Sequence, residues 1–232
     1  MLAAKFSYAV SLQVSPVSLN LTKNFPAAVL ALKNFNEHLI HVQIRAFDWQ
    51  QEKNNDQLTS TNNITVSPPL VEIAPGKEQI VRVIRITDKE LVKEESYRLL
   101  VDELPNPYET ANHNTKAVAF RIRYSIPVFA NDNNDISQTK LDSSLKKHNQ
   151  KIILDVVNRS QSHAQLSQVS LAWPNGTTTL LSKGLLGYVL PGKMRSWPLS
   201  HAPQVVKRAV LHWHINGVQK KEKIYLSQLK QD

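Results

Sequence analysis

The chain reads as an all-β protein built from two β-sandwich domains in tandem. Three observations predict this. Short apolar runs that alternate with polar residues recur along almost the whole sequence, the period of a strand with one face covered. Clusters of Pro, Gly, Asn and Asp separate them, at spacings of the kind sandwiches use. The pattern is interrupted once, by a polar stretch at 131–150, and then resumes. A length of 232 residues suits two domains of about a hundred residues each, so the expected division is 1–130 and 131–232.

The elements follow in order. Residues 12–21 (LQVSPVSLNL) alternate around Pro16, which suits an edge strand with a switch or bulge, because proline cannot donate to a ladder. Residues 27–35 (AAVLALKNF) have helical propensity but are few. Residues 39–49 (LIHVQIRAFDW) put Ile40, Val42, Ile44 and Ala46 on one face and His41, Gln43, Arg45 and Phe47 on the other. Residues 50–63 read as a polar loop. Short strands at 64–66 and 70–73 flank Ser67-Pro68-Pro69, and Ala74-Pro75-Gly76-Lys77 is a turn. Strands at 79–86 and 96–104 are separated by a turn at 87–90 with some helical character. The proline-bearing loop 105–115 then leads into 116–130 (KAVAFRIRYSIPVFA).

Beyond the polar linker, strands are expected at 151–157, 165–173, 177–181, 187–190, 193–199, 208–215 and 223–229. Trp173-Pro174-Asn175-Gly176 is a hairpin-type turn, and Leu190-Pro191-Gly192-Lys193 repeats the earlier Pro-Gly-Lys turn. Trp173, Trp197 and Trp213 read as core of this second block.

Composition narrows the function classes. Hydrophobic residues make up 41% and charged residues 20%, which describes a folded chain. No run approaches the roughly 20 apolar residues of a membrane-spanning helix. The N-terminal MLAAKFSYAVSLQV is a poor signal peptide because Lys5 interrupts it. Cysteine is absent, which excludes disulfides, zinc-thiolate sites and a cysteine nucleophile. The net charge of +9 suggests an anionic partner, but the basic residues are scattered. Only 220–223 (KKEK) forms a cluster, and no nucleic-acid-binding motif accompanies it. Nucleophile-elbow, zincin and phosphate-loop motifs are all missing. His212 and His214 share one strand face, which could chelate a metal, but no third ligand is identifiable and an exposed strand face is the preferred reading. The four Asn-x-Ser/Thr sequons are background. No enzyme activity, metal or cofactor is expected.

The stretch 116–130 carries the most information. Val118, Phe120, Ile122 and Tyr124 share one face; Ala117, Ala119, Arg121 and Arg123 share the other. Two readings stand. It is an ordinary half-buried sandwich strand, or an edge strand that offers backbone and alternate apolar side chains to another chain.

The succession VSP, SPPLVEIAPGKEQIVRVIRI, ESYRLLVDELP and FRIRYSIPVFA resembles the periplasmic pilus chaperones of the chaperone–usher pathway, the PapD-like family, and most closely its archaic branch. The resemblance covers the first domain through these motifs and the second mainly through size and strand count. It implies two immunoglobulin-like domains set as an L. It also implies a chaperone that binds, folds and caps pilus subunits by lending them a strand, then delivers them to an outer-membrane usher. Val118, Phe120, Ile122 and Tyr124 would be the donated residues. The implied location is the periplasm, and the implied partners are pilin subunits and the usher, without nucleic acid and without direct membrane insertion. A self-capping homodimer of the free chain is admitted too.

Better-known members of that family anchor the subunit's C-terminal carboxylate with an arginine on the first strand and a lysine near the end of the seventh. Alignment puts Ser18 and Ser125 there, so the anchor pair does not carry over. Hairpin geometry offers a substitute: the start of the sixth strand lies beside the end of the seventh, so Arg98 is the candidate anchor. Its guanidinium is suited to bidentate carboxylate binding near the cleft between domains, although a surface arginine paired with an acid accounts for it equally well. Arg123 and Arg82 are weaker candidates. Two other classes compete: an immunoglobulin-like adhesion or structural pilus protein, and a carbohydrate-binding sandwich, which would cluster exposed aromatics on one face.

Overall fold

The computed structural model describes residues 12–87, 90–105, 122–131, 139–148, 151–203 and 207–227. The described residues form strands and no helix. The chain divides into two compact units. One comprises Met1–Trp49, Leu58–Leu91 and Glu95–Asp132; the other comprises Gln50–Gln57, Val92–Glu94 and Asn133–Asp232, so it is discontinuous in sequence.

The first half of the chain holds β1 (Leu12–Ser15), β2 (Leu19–Leu21), β3 (Ala27–Asn34), β4 (Ile40–Glu52) and β5 (Asn55–Ser60). It continues with β6 (Ile64–Ser67), β7 (Leu70–Ile73), β8 (Glu78–Arg85), β9 (Glu95–Leu104) and β10 (Arg123–Ala130). One sheet runs β1-β3-β8-β6; the other runs β2-β10-β9-β4-β5, with β7 also on β4. Residues 12–21 serve both sheets. β1 pairs with β3, and after Pro16 the chain crosses to pair β2 in parallel with the end of β10. A proline at the crossing is where a ladder has to stop. Alternation fills the space between the sheets: Leu30 and Leu32, Val42 and Ile44, Val81 and Val83 are all buried.

Two expectations are corrected here. Residues 27–35, where a helix was open by propensity, form β3, whose ladders to β1 and β8 outweigh local preference. The supposed polar loop at 50–63 is a hairpin. β4 runs on to Glu52, and β5 returns after Lys53 and Asn54, both at positive φ (47° and 67°), the backbone of a tight two-residue turn.

The second unit holds β11 (Leu141–His148), β12 (Lys151–Asn158) and β13 (Ala164–Ala172), then β14 (Thr178–Val189) and β15 (Met194–Pro198), and last β16 (Arg208–Ile215) and β17 (Val218–Tyr225). One sheet runs β11-β12-β15 and the other β14-β13-β16-β17. Leu154, Leu166, Leu171, Leu211, Trp173 and Trp213 lie in its core, with Trp197 packed against it. The strands expected at 177–181 and 187–190 are one strand, β14, bulged where Gln168 takes φ 50° on β13. The last strand starts earlier than 223, because Asn216-Gly217 turns the chain straight from β16 into β17.

Both units use the same internal clasp. In the first, Asn34 is fully buried and its Nδ2 donates to the carbonyls of His38 and Ile73, each at 2.8 Å. Its backbone meets the Pro75-Gly76-Lys77 turn, through Asn34 N to Lys77 O and Gly76 N to Asn34 O. In the second, Asn158 Nδ2 donates to Ser162 and Val189 carbonyls at 2.8 Å, and its backbone meets Gly192 and Lys193 in the same way. Gly76 and Gly192 sit at φ 68° and 69°, the third position of a turn that proline opens.

Candidate functional site

Two of the residues singled out from sequence, Arg98 and Arg123, lie on the outward face of the sheet that contains β10. On β9, Tyr97, Leu99 and Val101 are buried, while Arg98, Leu100 and Asp102 face outward and are partly exposed. β10 is antiparallel to β9, so Arg123 stands opposite Asp102, Ser125 opposite Leu100 and Pro127 opposite Arg98. On the other side of β9, Arg45 of β4 stands opposite Leu100 and Phe47 opposite Arg98.

Arg98 is held in place. Its guanidinium lies 3.7 Å from the centroid of the Trp49 ring, and its Nη1 donates to the Ser125 carbonyl at 3.3 Å. Trp49 is 3% exposed and packs against Phe129, with ring centroids 6.0 Å apart. An arginine stacked on an indole keeps its charge while its fork is fixed in direction. Arg98 therefore reaches the backbone of Ser125, one of the two serines that the family resemblance aligns with anchor cations. Ser18, the other, lies half-buried in the bend before β2.

Arg123 is differently engaged. It and Arg45 both donate to Asp102, Arg45 at 2.8 Å. Burial works to raise the Asp102 carboxyl, and the two guanidiniums overcome it, holding the group below the usual carboxylate range. These three side chains, with Gln43, Ile122 and Leu104, line an open cleft of about 420 Å³. Arg82 is not brought to this place: it is exposed on β8, in the opposite sheet. Residues Val118 and Phe120 lie outside the described residues. Ile122 is half-buried in the cleft wall. Tyr124 turns half-buried against the core of its own unit, and its hydroxyl donates to the Leu12 carbonyl.

The backbone of β10 is covered unequally. β2 pairs only with Val128, Phe129 and Ala130. Along Arg123–Pro127, no strand among the described residues occupies that side. The shared Asp102 bridge and the Trp49 stack were missed in the sequence; both depend on the β4–β9 register, which joins residues 49 to 63 positions apart.

Among the described residues no group of three or more His, Cys, Asp or Glu side chains could hold a metal ion. His212 and His214 sit on the outward face of β16.

Comparison with known proteins bears on the family and the fold. Residues 11–132 match the family described as pili and flagellar-assembly chaperone, PapD N-terminal domain. No curated protein matches the chain by sequence. Among solved structures, the chain is similar to one in the CsuC–CsuE chaperone–tip adhesion subunit pre-assembly complex from the archaic chaperone–usher Csu pili of Acinetobacter baumannii. That match has 24% identity and a TM-score of 0.71, covering 94% of this chain and 100% of the other. It is also similar to the YadV chaperone, at 14% identity and a TM-score of 0.67, covering 93% and 100%. A third likeness is to a chain in the Salmonella enterica complex of SafA pilin with the SafB chaperone, at 14% identity and a TM-score of 0.63, covering 94% and 97%. The family match spans more than half of the 232 residues, and the chain belongs to the PapD-like pili and flagellar-assembly chaperones.

Proposed function

We propose that this chaperone caps pilus subunits in the periplasm by donor-strand complementation and passes them to an outer-membrane usher. The observation that carries the reading is the half-covered β10. Its Arg123–Pro127 backbone has no strand neighbour on one side among the described residues, and the apolar positions Val118, Phe120 and Ile122 lead into it. Added strands gain affinity from main-chain hydrogen bonds and specificity from alternate side chains. In this proposal residues 1–130 form the donor-bearing domain and 131–232 a second sandwich.

Arg98 anchors the subunit's terminal carboxylate. Its stack on Trp49 and its bond to Ser125 support this role, because a fork already fixed in direction loses little freedom on binding. Arg123 is the weaker candidate, since Asp102 already engages it. Co-expression with candidate pilins is the test. Wild type should yield a 1:1 complex, and Arg98→Ala should lose it at a cost of about 2–5 kcal/mol while the free chaperone stays folded. A normal complex from folded Arg98→Ala refutes the anchor. If no pilin is captured by any variant, wild type included, the chaperone reading of β10 itself falls.

A further inference from the structure

The second unit carries a surface that strand donation does not use. On β16, Ala209, Leu211, Trp213 and Ile215 are buried, so Arg208, Val210, His212 and His214 face outward. The register of β17 places Tyr225 beside Arg208, Lys223 beside Val210, Lys221 beside His212 and Gln219 beside His214. This face contains three fixed cations and two histidines. β13, β14 and β16 contain no Asp or Glu at all. The single carboxylate of β17, Glu222, turns to the other side, where it accepts a bond from the Ser143 hydroxyl.

Lysines on an edge strand commonly guard it against pairing with other chains, and β17 is an edge. That accounts for Lys221 and Lys223 but leaves three features unexplained. Arg208 lies on β16, an interior strand. A cleft of about 260 Å³ opens beside Arg208 and Lys223, with Ala172, Trp173, Pro174 and Val210 as its apolar lining. Exposed apolar side chains flank the cations: Leu180 at 49% and Leu185 at 55% on β14, and Tyr225 at 59% on β17. Leu180 and Leu185 stand opposite Ser170 and Ser167, whose other neighbours are the outward His212 and His214.

We infer that this sheet face docks peripherally on an anionic phospholipid bilayer. Cations without intervening carboxylates match phosphate-bearing headgroups. Leucines and a tyrosine at the margins suit the boundary between headgroups and acyl chains. An acidic polypeptide would satisfy the charges but would leave the flanking leucines exposed. The attachment is weak and reversible, as a single charge-based signal is.

The test is co-sedimentation of the full chain with vesicles of one part phosphatidylglycerol to three parts phosphatidylcholine, against pure phosphatidylcholine. Binding is expected only to the anionic vesicles, and it should fall on raising the salt from about 50 to 300 mM as screening shortens. Lys221→Glu with Lys223→Glu should weaken it by at least about 25-fold, near five-fold for each cation removed. A control of equal charge change, Lys77→Glu with Lys93→Glu, both exposed and remote from the face in sequence, should weaken it far less. Leu180→Ser with Leu185→Ser should weaken binding while its salt dependence persists. All six positions are exposed, so melting curves should superimpose. Equal binding to neutral vesicles, equal loss in the control, or binding of soluble polyglutamate without any binding of vesicles overturns the assignment.

Discussion

Removing the Asn34 side chain tests how the first unit is held together. The amide is fully buried and makes three bonds at 2.8 Å: two donated to His38 and Ile73 carbonyls, one accepted from the Asn36 N–H. In Asn34→Ala the Ile73 carbonyl loses its amide partner in a buried position, at a cost of about 1–3 kcal/mol, and two partly buried bonds go at roughly 0.5–1 kcal/mol each. The sum is roughly 2–5 kcal/mol, enough to lower the melting temperature by on the order of 5–20 °C. Asn158→Ala makes the matching change in the second unit. Urea unfolding gives the size of each effect, and hydrogen exchange resolved along the chain gives its place. Asn34→Ala should release protection around residues 30–34 and 73–78, and Asn158→Ala around 154–158 and 189–194. A loss under about 0.5 kcal/mol for either variant, or exchange that rises equally in both units, refutes the clasp as a local fastener.

Three further outcomes are expected. The Asp102 carboxyl is depressed by Arg123 and Arg45, so the stability it lends is complete above about pH 4 and is lost as pH falls through its lowered value; Asp102→Asn should flatten that acid limb in melting scans, and an unchanged limb counts against the bridge. Gly192→Ala meets no atom within 4 Å, so its cost should come from the backbone at φ 69° alone, about 1 kcal/mol by urea unfolding. Phe120→Ser and Ile122→Ser should leave the free protein's melting temperature nearly unchanged yet fail to keep a co-expressed pilin in solution, measured at dilutions that dissociate any self-capping dimer; a loss of about 3–5 kcal/mol, typical of an emptied core site, would return the stretch to ordinary core.

The parts of the fold legible in the sequence were those where one face is wet. β16 alternates cleanly and its burial follows residue by residue, and burial on β9 alternates over Tyr97–Asp102. Pro16 marked the sheet switch because a missing N–H is a local fact. β5 was illegible: its NDQLTS is exposed at every position, so no period is imprinted on it. β14 was expected as two strands, 177–181 and 187–190, and only the register against β13 shows the break to be an irregularity within one ladder. Asn216-Gly217 is a turn legible from its residue types alone.

The site divides along the same line. Arg98 could be reached from sequence because a hairpin fixes which residues oppose each other, and Arg98 does stand opposite Pro127. The Arg45–Asp102–Arg123 bridge could not, since nothing local relates β4 to β9. Tyr124 is the instructive case. Its place in the alternation gives a face, and Ile126, Val128 and Ala130 continue that face into the unit's own core. Alternation records that a face is apolar and carries no mark of which core covers it. The covering is decided by what lies beside the strand, and among the described residues that changes partway along β10: β2 and a filled interior at Val128–Ala130, no strand neighbour on that side at Arg123–Pro127. A strand can be covered differently at its two ends with no change of residue type between them, and that is why a sequence pattern alone left both readings of it standing.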